Sequence, residues 1–287
     1  MVGPRAVDFA KDNPVFSHTY IWDKKTGILN LARMLKNKKY DLVVDFRNSI
    51  IPFFIKSKYQ LTFFKAEFFS KKFFTHESKR IMKFFQPYFG TPGYIELFFP
   101  LSAEEISENK IFFQGFKFFT SGKQIIVINP GAAFEKKRWR KENFAEVAKK
   151  IISHFNANIV IVGNNNEYML AEEIKMLINS DEATNLAGKI TFRNLAYLLS
   201  KASLLITNDT GTMHLASAMK CPLIAIFGPG NPLRYGPIGT KHIILHTKRN
   251  CFPCRVEWKC KKEFICMDDV TADDAFIAAS KILTGKI

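Results

Sequence analysis

The chain has 287 residues, 47% hydrophobic and 24% charged, which gives it the length for two packed domains and excludes a disordered chain. No apolar run approaches the roughly 18–20 residues that cross a bilayer, and the N-terminus carries acids and prolines where a signal peptide has an apolar core, so the sequence reads as cytoplasmic. Lys and Arg total 42 against 26 Asp and Glu, a net charge of +16; this fits either an anionic partner or a coding bias that makes Lys, Phe, Ile and Asn abundant together.

In chain order, FSHTYIWD and YDLVVDF read as strands with a helix over GILNLARMLKNKK between them. Residues 51–90 follow, with paired phenylalanines from Phe53-Phe54 to Phe84-Phe85 interleaved with lysines such as Lys65, Lys71 and Lys72. Aromatic and basic residues together suit a membrane interface; the other reading is core phenylalanines with a solvated lysine face. No nucleic-acid fold motif accompanies them, so no nucleic-acid partner is expected. SKRIMKFFQPYFG predicts a helix ended by Gly90, and GYIELFFPL a strand.

From Gln124 onward the pattern is regular. QIIVIN, NIVIV, TNLAG, SLLITN and CPLIAIF read as strands, and they alternate with helices over WRKENFAEVAKKIISHF, YMLAEEIKMLI, TFRNLAYLLSKA and MHLASAMK. Solid apolar strands alternating with amphipathic helices imply a parallel sheet covered on both faces, hence an α/β fold. The domain boundary is placed near Phe116–Gln124, giving domains at 1–118 and 119–287.

Ligands of an open parallel sheet bind beyond the carboxyl ends of its strands. The turns there are small and polar: Asn129-Pro130-Gly131, Gly163-Asn164-Asn165-Asn166, Ala187-Gly188-Lys189, Asn208-Asp209-Thr210-Gly211-Thr212 and Gly228-Pro229-Gly230. Unpaired N–H groups at a helix start, with room made by glycine, favour a phosphate. In the fourth turn Asp209 or Thr210 is expected to cap the helix, Gly211 and Thr212 to expose N–H groups, and His214 to face the same cavity or to be a satisfied core histidine. Neither common nucleotide-binding glycine fingerprint occurs.

NPGAAFEKKRW, VGNNNE, NLAGK, NDTGTMHLASAMKCPLIAIFGPGNPLRYGPIG and the later cysteine run, in this order and spacing, resemble glycosyltransferase family 9, the bacterial ADP-heptose:lipopolysaccharide heptosyltransferases. The resemblance implies a GT-B architecture, two Rossmann-like domains with parallel sheets facing a cleft and the donor in the second domain. It implies that Thr210 and Gly211 cradle the diphosphate beside Gly131 and Asp209, and that Lys137 pairs with phosphate, with Lys136 and Arg138 as neighbours. It further implies Glu167 on the ribose, Gly188 to Thr191 along the adenine, and His214 lining the pocket. The family pattern has Pro after KRW, where this chain has Arg140.

Family members open with a strand and a Gly-Asp turn whose Asp is the general base. That segment has no counterpart here, so the first domain is expected to be incomplete by about one βαβ unit, roughly 40 residues. Asp45 is the candidate substitute; its other reading is a strand-end residue that faces the acceptor. Arg47 is expected to meet an anionic lipid-linked acceptor. The function implied is inverting transfer of a heptose from an ADP-sugar to a lipopolysaccharide core, with no cofactor and peripheral contact with the inner face of the inner membrane. The alternative is a sugar-nucleotide-binding homologue, or a remnant, without turnover.

Cys251, Cys254, Cys260 and Cys266 form a C-x2-C-x5-C-x5-C run. Four thiolates at such spacing can hold structural zinc; the other readings are reduced thiols packing a C-terminal segment, or a disulfide. The resemblance includes the cluster and implies no catalytic metal. Cys221 reads as core.

Overall fold

The apolar runs of the second half are continuous because both faces of the sheet they form are buried. In the computed structural model β3 (Gln124–Asn129) places Ile126 and Ile128 on one face and Ile125 and Val127 on the other, and all four are buried. The structure describes the chain apart from residues 1, 4–6, 11–12, 24–26, 36–37, 46–50, 63–74, 92, 94, 253, 255–259 and 261–264. It divides into two compact units, Met1–Phe73 and Phe74–Ile287.

The described part of the first unit holds α1 (Val7–Ala10), α2 (Ile28–Leu35), and the parallel pair β1 (Tyr40–Asp45) and β2 (Ser57–Thr62). Leu31, Leu35, Ile51 and Ile55 form its core, with Tyr20, Trp22, Tyr40 and Val43 packed against them. FSHTYIWD, expected as a strand, contributes only an isolated parallel bridge between Val2 and Ile21. Here β1 hydrogen-bonds to β2 instead.

The second unit begins with three helices, α3 (Glu77–Phe89), α4 (Ala103–Gln114) and α5 (Lys117–Thr120). Gly90 ends α3 as expected, at φ 76°. GYIELFFPL forms no strand among its described residues. Its Phe99 is buried against the Phe192 ring, with the Arg193 guanidinium over it, while the Pro100 carbonyl accepts from Arg193. The segment is therefore tied to a helix surface.

The six-stranded sheet then runs in the order β5-β4-β3-β6-β7-β8, every pairing parallel. Its further strands are β4 (Ala157–Ile161), β5 (Ala183–Asn185), β6 (Leu204–Asn208), β7 (Leu223–Phe227) and β8 (His242–His246). The crossovers are α6 (Lys141–His154), α7 (Tyr168–Ile178), α8 (Phe192–Lys201), α9 (Gly211–Ala218) and the single turn α10 (Pro232–Tyr235); α11 (Ala272–Leu283) closes the chain. One face is covered by α6, α7 and α11, the other by α4, α5, α8 and α9. The expected boundary at 118/119 falls inside α5, just before the sheet begins at Gln124, while the compact division lies earlier, because Phe113 stacks on Tyr197 and meets Phe118 edge-on, and all three belong to the sheet's own core. Among the described residues no helix is long and apolar enough to cross a membrane.

Ile206 on β6 is fully buried in the middle of this core. Ile206→Ala is expected to lower unfolding free energy by about 2–5 kcal/mol in a denaturant titration, and a loss below about 1 kcal/mol would contradict the packing described.

Candidate functional site

A parallel sheet sends all its strands' carboxyl ends to one edge, so the turns after β3, β4, β5, β6 and β7 meet there. Buried asparagines tie them together. Asn208, the last residue of β6, is fully buried; its amide nitrogen donates to the Pro130 carbonyl at 2.8 Å and lies 3.2 Å from that of Gly131. Its side-chain oxygen accepts from the Trp139 backbone N–H at 3.0 Å. Asn129, ending β3, accepts from the Gly131 N–H at 3.0 Å and donates to the Thr212 hydroxyl at 2.6 Å. Two side chains thereby lock the Asn129–Gly131 turn, the KKRW segment and the start of α9 to one another.

Glu167 sits among the turns after β3 and β4. Its carboxylate accepts from the Asn164 N–H at 2.9 Å, and the residue is only 8% exposed. A Cβ on Gly131 would fall 2.0 Å from one carboxylate oxygen and a Cβ on Gly163 2.9 Å from the other. Both glycines leave the room into which the Glu167 carboxylate is placed. Gly188, after β5, adopts φ +69° against Asn165, a backbone that favours glycine. Thr191 is exposed and occupied as the N-cap of α8: it accepts from the Asn194 N–H at 3.1 Å and donates to the Asn194 side chain at 2.6 Å.

The start of α9 differs from the expectation. Thr210 is the N-cap residue, and its side chain makes no capping hydrogen bond to the helix end. Its hydroxyl lies 3.2 Å from that of Thr207, while the Asp209 carboxylate takes the Lys137 ammonium at 2.6 Å. Asp209 is thus engaged by a charge stronger than any amide donor, and the helix N-terminus keeps its polar N–H groups and partial positive charge. A Cβ on Gly211 would meet nothing within 4 Å. Gly230, after β7, is pressed on the other side of the ion pair: a Cβ there would fall 2.5 Å from an Asp209 carboxylate oxygen. His214 is half-buried one turn into α9, and burial holds its imidazole below the ordinary value. Asp209 pulls that value up and His76 pushes it down, burial being the larger effect. The ring is neutral at pH 7 and can donate or accept a hydrogen bond. An uncapped helix start beside an ammonium, with open space at its first glycine, is a site for an anion of diphosphate size.

Arg140, where the family pattern has Pro, begins α6 and makes a two-pronged pair with Asp268, at 2.5 and 2.9 Å. That guanidinium holds the Asp268 carboxyl below the usual range. In the first unit, Asp45 ends β1, is 9% exposed, and lines a cavity of about 450 Å³ with His18, Tyr20, Lys38 and Tyr40. Arg47 lies outside the described residues. The four clustered cysteines form no disulfide and line one cavity of about 30 Å³. Burial, with the neighbouring cysteines, pushes the Cys266 thiol up to about 11. Among the described residues no group of three or more His, Cys, Asp or Glu side chains is placed to hold a metal ion. Cys221 is buried, and that burial raises its thiol to about 12.

The structure brings Lys137, Asp209, Glu167 and the glycines of these turns to one edge; the sequence places Asn208, Asn129 and Gly230 in the same turns but assigns them no bracing role. The signal for the asparagines was their position as the polar residues that close apolar strands.

The sequence profile of glycosyltransferase family 9 (heptosyltransferase) matches residues 28–264, and the chain belongs to that family. It is 30% identical over 231 residues to the lipopolysaccharide core heptosyltransferase OpsX of Haemophilus influenzae, a match covering 75% of this chain and 66% of that protein. It is also 30% identical over 178 residues to lipooligosaccharide heptosyltransferase 2 of Campylobacter jejuni, covering 61% of this chain and 56% of the relative. In these matches the chain spans less than two thirds of the relatives' length. Among solved structures, its fold is similar to a family 9 glycosyltransferase from Veillonella parvula, with TM-score 0.80 and 20% identity over 97% of this chain and 85% of that one. The Escherichia coli ADP-heptose lipopolysaccharide heptosyltransferase II gives TM-score 0.76 and 19% identity over 99% and 88%. The α/β fold with its parallel sheets matches these GT-B structures.

Two substitutions separate scaffold from site. Asn208→Ala leaves the Trp139 N–H and the Pro130 carbonyl without their buried partner and is expected to cost about 1–3 kcal/mol in unfolding free energy. Gly211→Ala meets open space and a helical backbone, so the unfolding midpoint is expected to stay or rise; a clear drop would contradict the geometry. His214 binds a proton less readily folded than unfolded, so its contribution is complete above about pH 6.5 and is lost as pH falls below that. His214→Gln is expected to remove that part of the acid slope in unfolding midpoints.

Proposed function

We propose that this family 9 glycosyltransferase transfers a heptose, with inversion, from an ADP-sugar to a lipopolysaccharide core acceptor. The observation that carries this reading is the uncapped start of α9 beside the Lys137–Asp209 pair, with open space at Gly211. In this reading the N–H groups of Gly211 and Thr212 and the Lys137 ammonium hold the diphosphate, with Thr210 and Gly131 beside it. Glu167 accepts from the ribose hydroxyls, Gly188 to Thr191 run along the adenine, and neutral His214 lines the pocket. The 30% identical relatives, a lipopolysaccharide core heptosyltransferase and a lipooligosaccharide heptosyltransferase, support the sugar and acceptor classes.

The reaction then follows from charge. An acceptor hydroxyl attacks the anomeric carbon on the face opposite the diphosphate. The new C–O bond forms as the bond to the diphosphate breaks, the hydroxyl proton passes to a carboxylate base, and negative charge grows on the leaving oxygen. Lys137 and the α9 N-terminus are fixed where that charge develops, and preorganised positive groups of this kind act on the transition state more than on the ground state. Asp209 holds the Lys137 ammonium in place before the donor arrives. Asp45 and the cavity beside it in the first unit are assigned to the acceptor side, together with Arg47. Exposed Tyr88 and Phe89 on α3 supply aromatic surface for peripheral contact with the membrane that carries a lipid-linked acceptor.

The test is calorimetric titration with ADP followed by a transfer assay with ADP-heptose. Wild type is expected to bind ADP, and Gly211→Ala and Lys137→Ala to bind it about tenfold or more weakly, Gly211→Ala with an unfolding midpoint no lower than wild type. Equal binding by all three would remove the diphosphate from this site. Asp45→Asn is expected to lower kcat by about 10²–10⁴ if Asp45 takes the acceptor proton. ADP binding with no transfer by wild type would select the binding protein without turnover.

A further inference from the structure

The turn after β7, Gly228 to Gly236, is clamped between two parts of the chain. On one side Gly230 lies against the Asp209 carboxylate that holds Lys137. On the other side stand His76 and Glu77, at the start of α3. The His76 ring nitrogen Nε2 is 2.9 Å from the Gly236 carbonyl, across 160 positions of sequence. Its other nitrogen, Nδ1, accepts from the Ser78 backbone N–H at 3.2 Å and so caps α3. A ring that accepts at Nδ1 carries its hydrogen on Nε2, so the contact with Gly236 is a donated hydrogen bond. Next to it the Glu77 carboxylate takes the Arg234 guanidinium and, at 2.8 Å, that of Arg80. The turn itself is tight: the Gly236 N–H donates to the Pro232 carbonyl at 2.7 Å, and a Cβ on Gly236 would fall 2.4 Å from that oxygen. A short, stiff turn transmits a push at one end to the other.

We propose that His76 is a positioning residue for the donor: its Nε2 hydrogen bond to Gly236, seconded by Glu77 on Arg234, holds the Gly228–Gly236 turn against Asp209 and so fixes the Lys137 ammonium. The inference rests on the donor-site reading of α9 and Lys137. His76 need not touch the donor. It acts through a backbone carbonyl, which explains why no motif marks it.

The two nitrogens of His76 have separate tasks, and two replacements separate them. His76→Asn keeps an acceptor near the position of Nδ1 and preserves the α3 cap. His76→Gln reaches the position of Nε2 and preserves the donor to Gly236. ADP titration and thermal unfolding are measured for wild type and both variants. The expected result is ADP affinity near wild type for His76→Gln and about three- to tenfold weaker for His76→Asn, the loss of one hydrogen bond. Affinity that follows the cap instead, kept in His76→Asn and lost in His76→Gln, overturns the inference. So does equal affinity in all three, or equal weakening in both variants matched by equal loss of thermal stability. Failure of wild type to bind ADP overturns the donor-site reading first and this inference with it, an outcome distinct from the others. Glu77→Gln is the second probe: it leaves His76 in place, weakens the hold on Arg234, and is expected to shift ADP affinity in the direction of His76→Asn.

Discussion

Asn208 is the residue on which the site's shape depends. A parallel sheet brings five turns to one edge but does not fix their relative positions, because each turn follows its own strand. The Asn208 side chain does, by donating to carbonyls of one turn and accepting from the backbone of another while fully buried. Buried amides cost much when unpaired, so a fully paired one selects a single arrangement. With those segments locked, Asp209 one residue later has one place to be, and Lys137, two residues before Trp139, is brought to it.

The glycines sort by what demands them. Gly131 and Gly163 make room for Glu167, and Gly230 for Asp209. These are internal demands, visible as clashes a methyl group would cause. Gly211 answers to no such demand, since a Cβ there would meet nothing within 4 Å. A residue that the fold does not require, at a helix start that no side chain caps, points to something outside the protein. The diphosphate reading rests on that asymmetry more than on any single contact.

The second-half strands were legible because burial on both faces writes them as unbroken apolar runs, as in Ile125 to Ile128. The loss of that signal explains the misses. HIILH of β8 lies at the sheet edge with a histidine at each end, and GYIELFFPL has a strand's composition but is held by Arg193 through Phe99 and Pro100. The boundary placed at Phe116–Gln124 begins where Phe116 and Phe118 pack with Phe113, and the compact division lies at 73/74. In the site, the glycine turns were legible from the turn chemistry and Lys137 and Glu167 only through the family resemblance, while the capping expectation for Asp209 failed because its nearest strong partner, Lys137, comes from 72 residues away. The distant partners were not legible: Asn208 and His76 act on backbone groups that every residue has, and Asn129 on a hydroxyl 83 positions away.

The most direct measurement is a crystal structure of the protein with ADP bound. The account predicts β-phosphate oxygens within hydrogen-bond distance of the Gly211 and Thr212 N–H groups and of the Lys137 ammonium, with the ribose at Glu167. ADP seated elsewhere, or phosphates turned away from the start of α9 with Lys137 still bound only to Asp209, would contradict it.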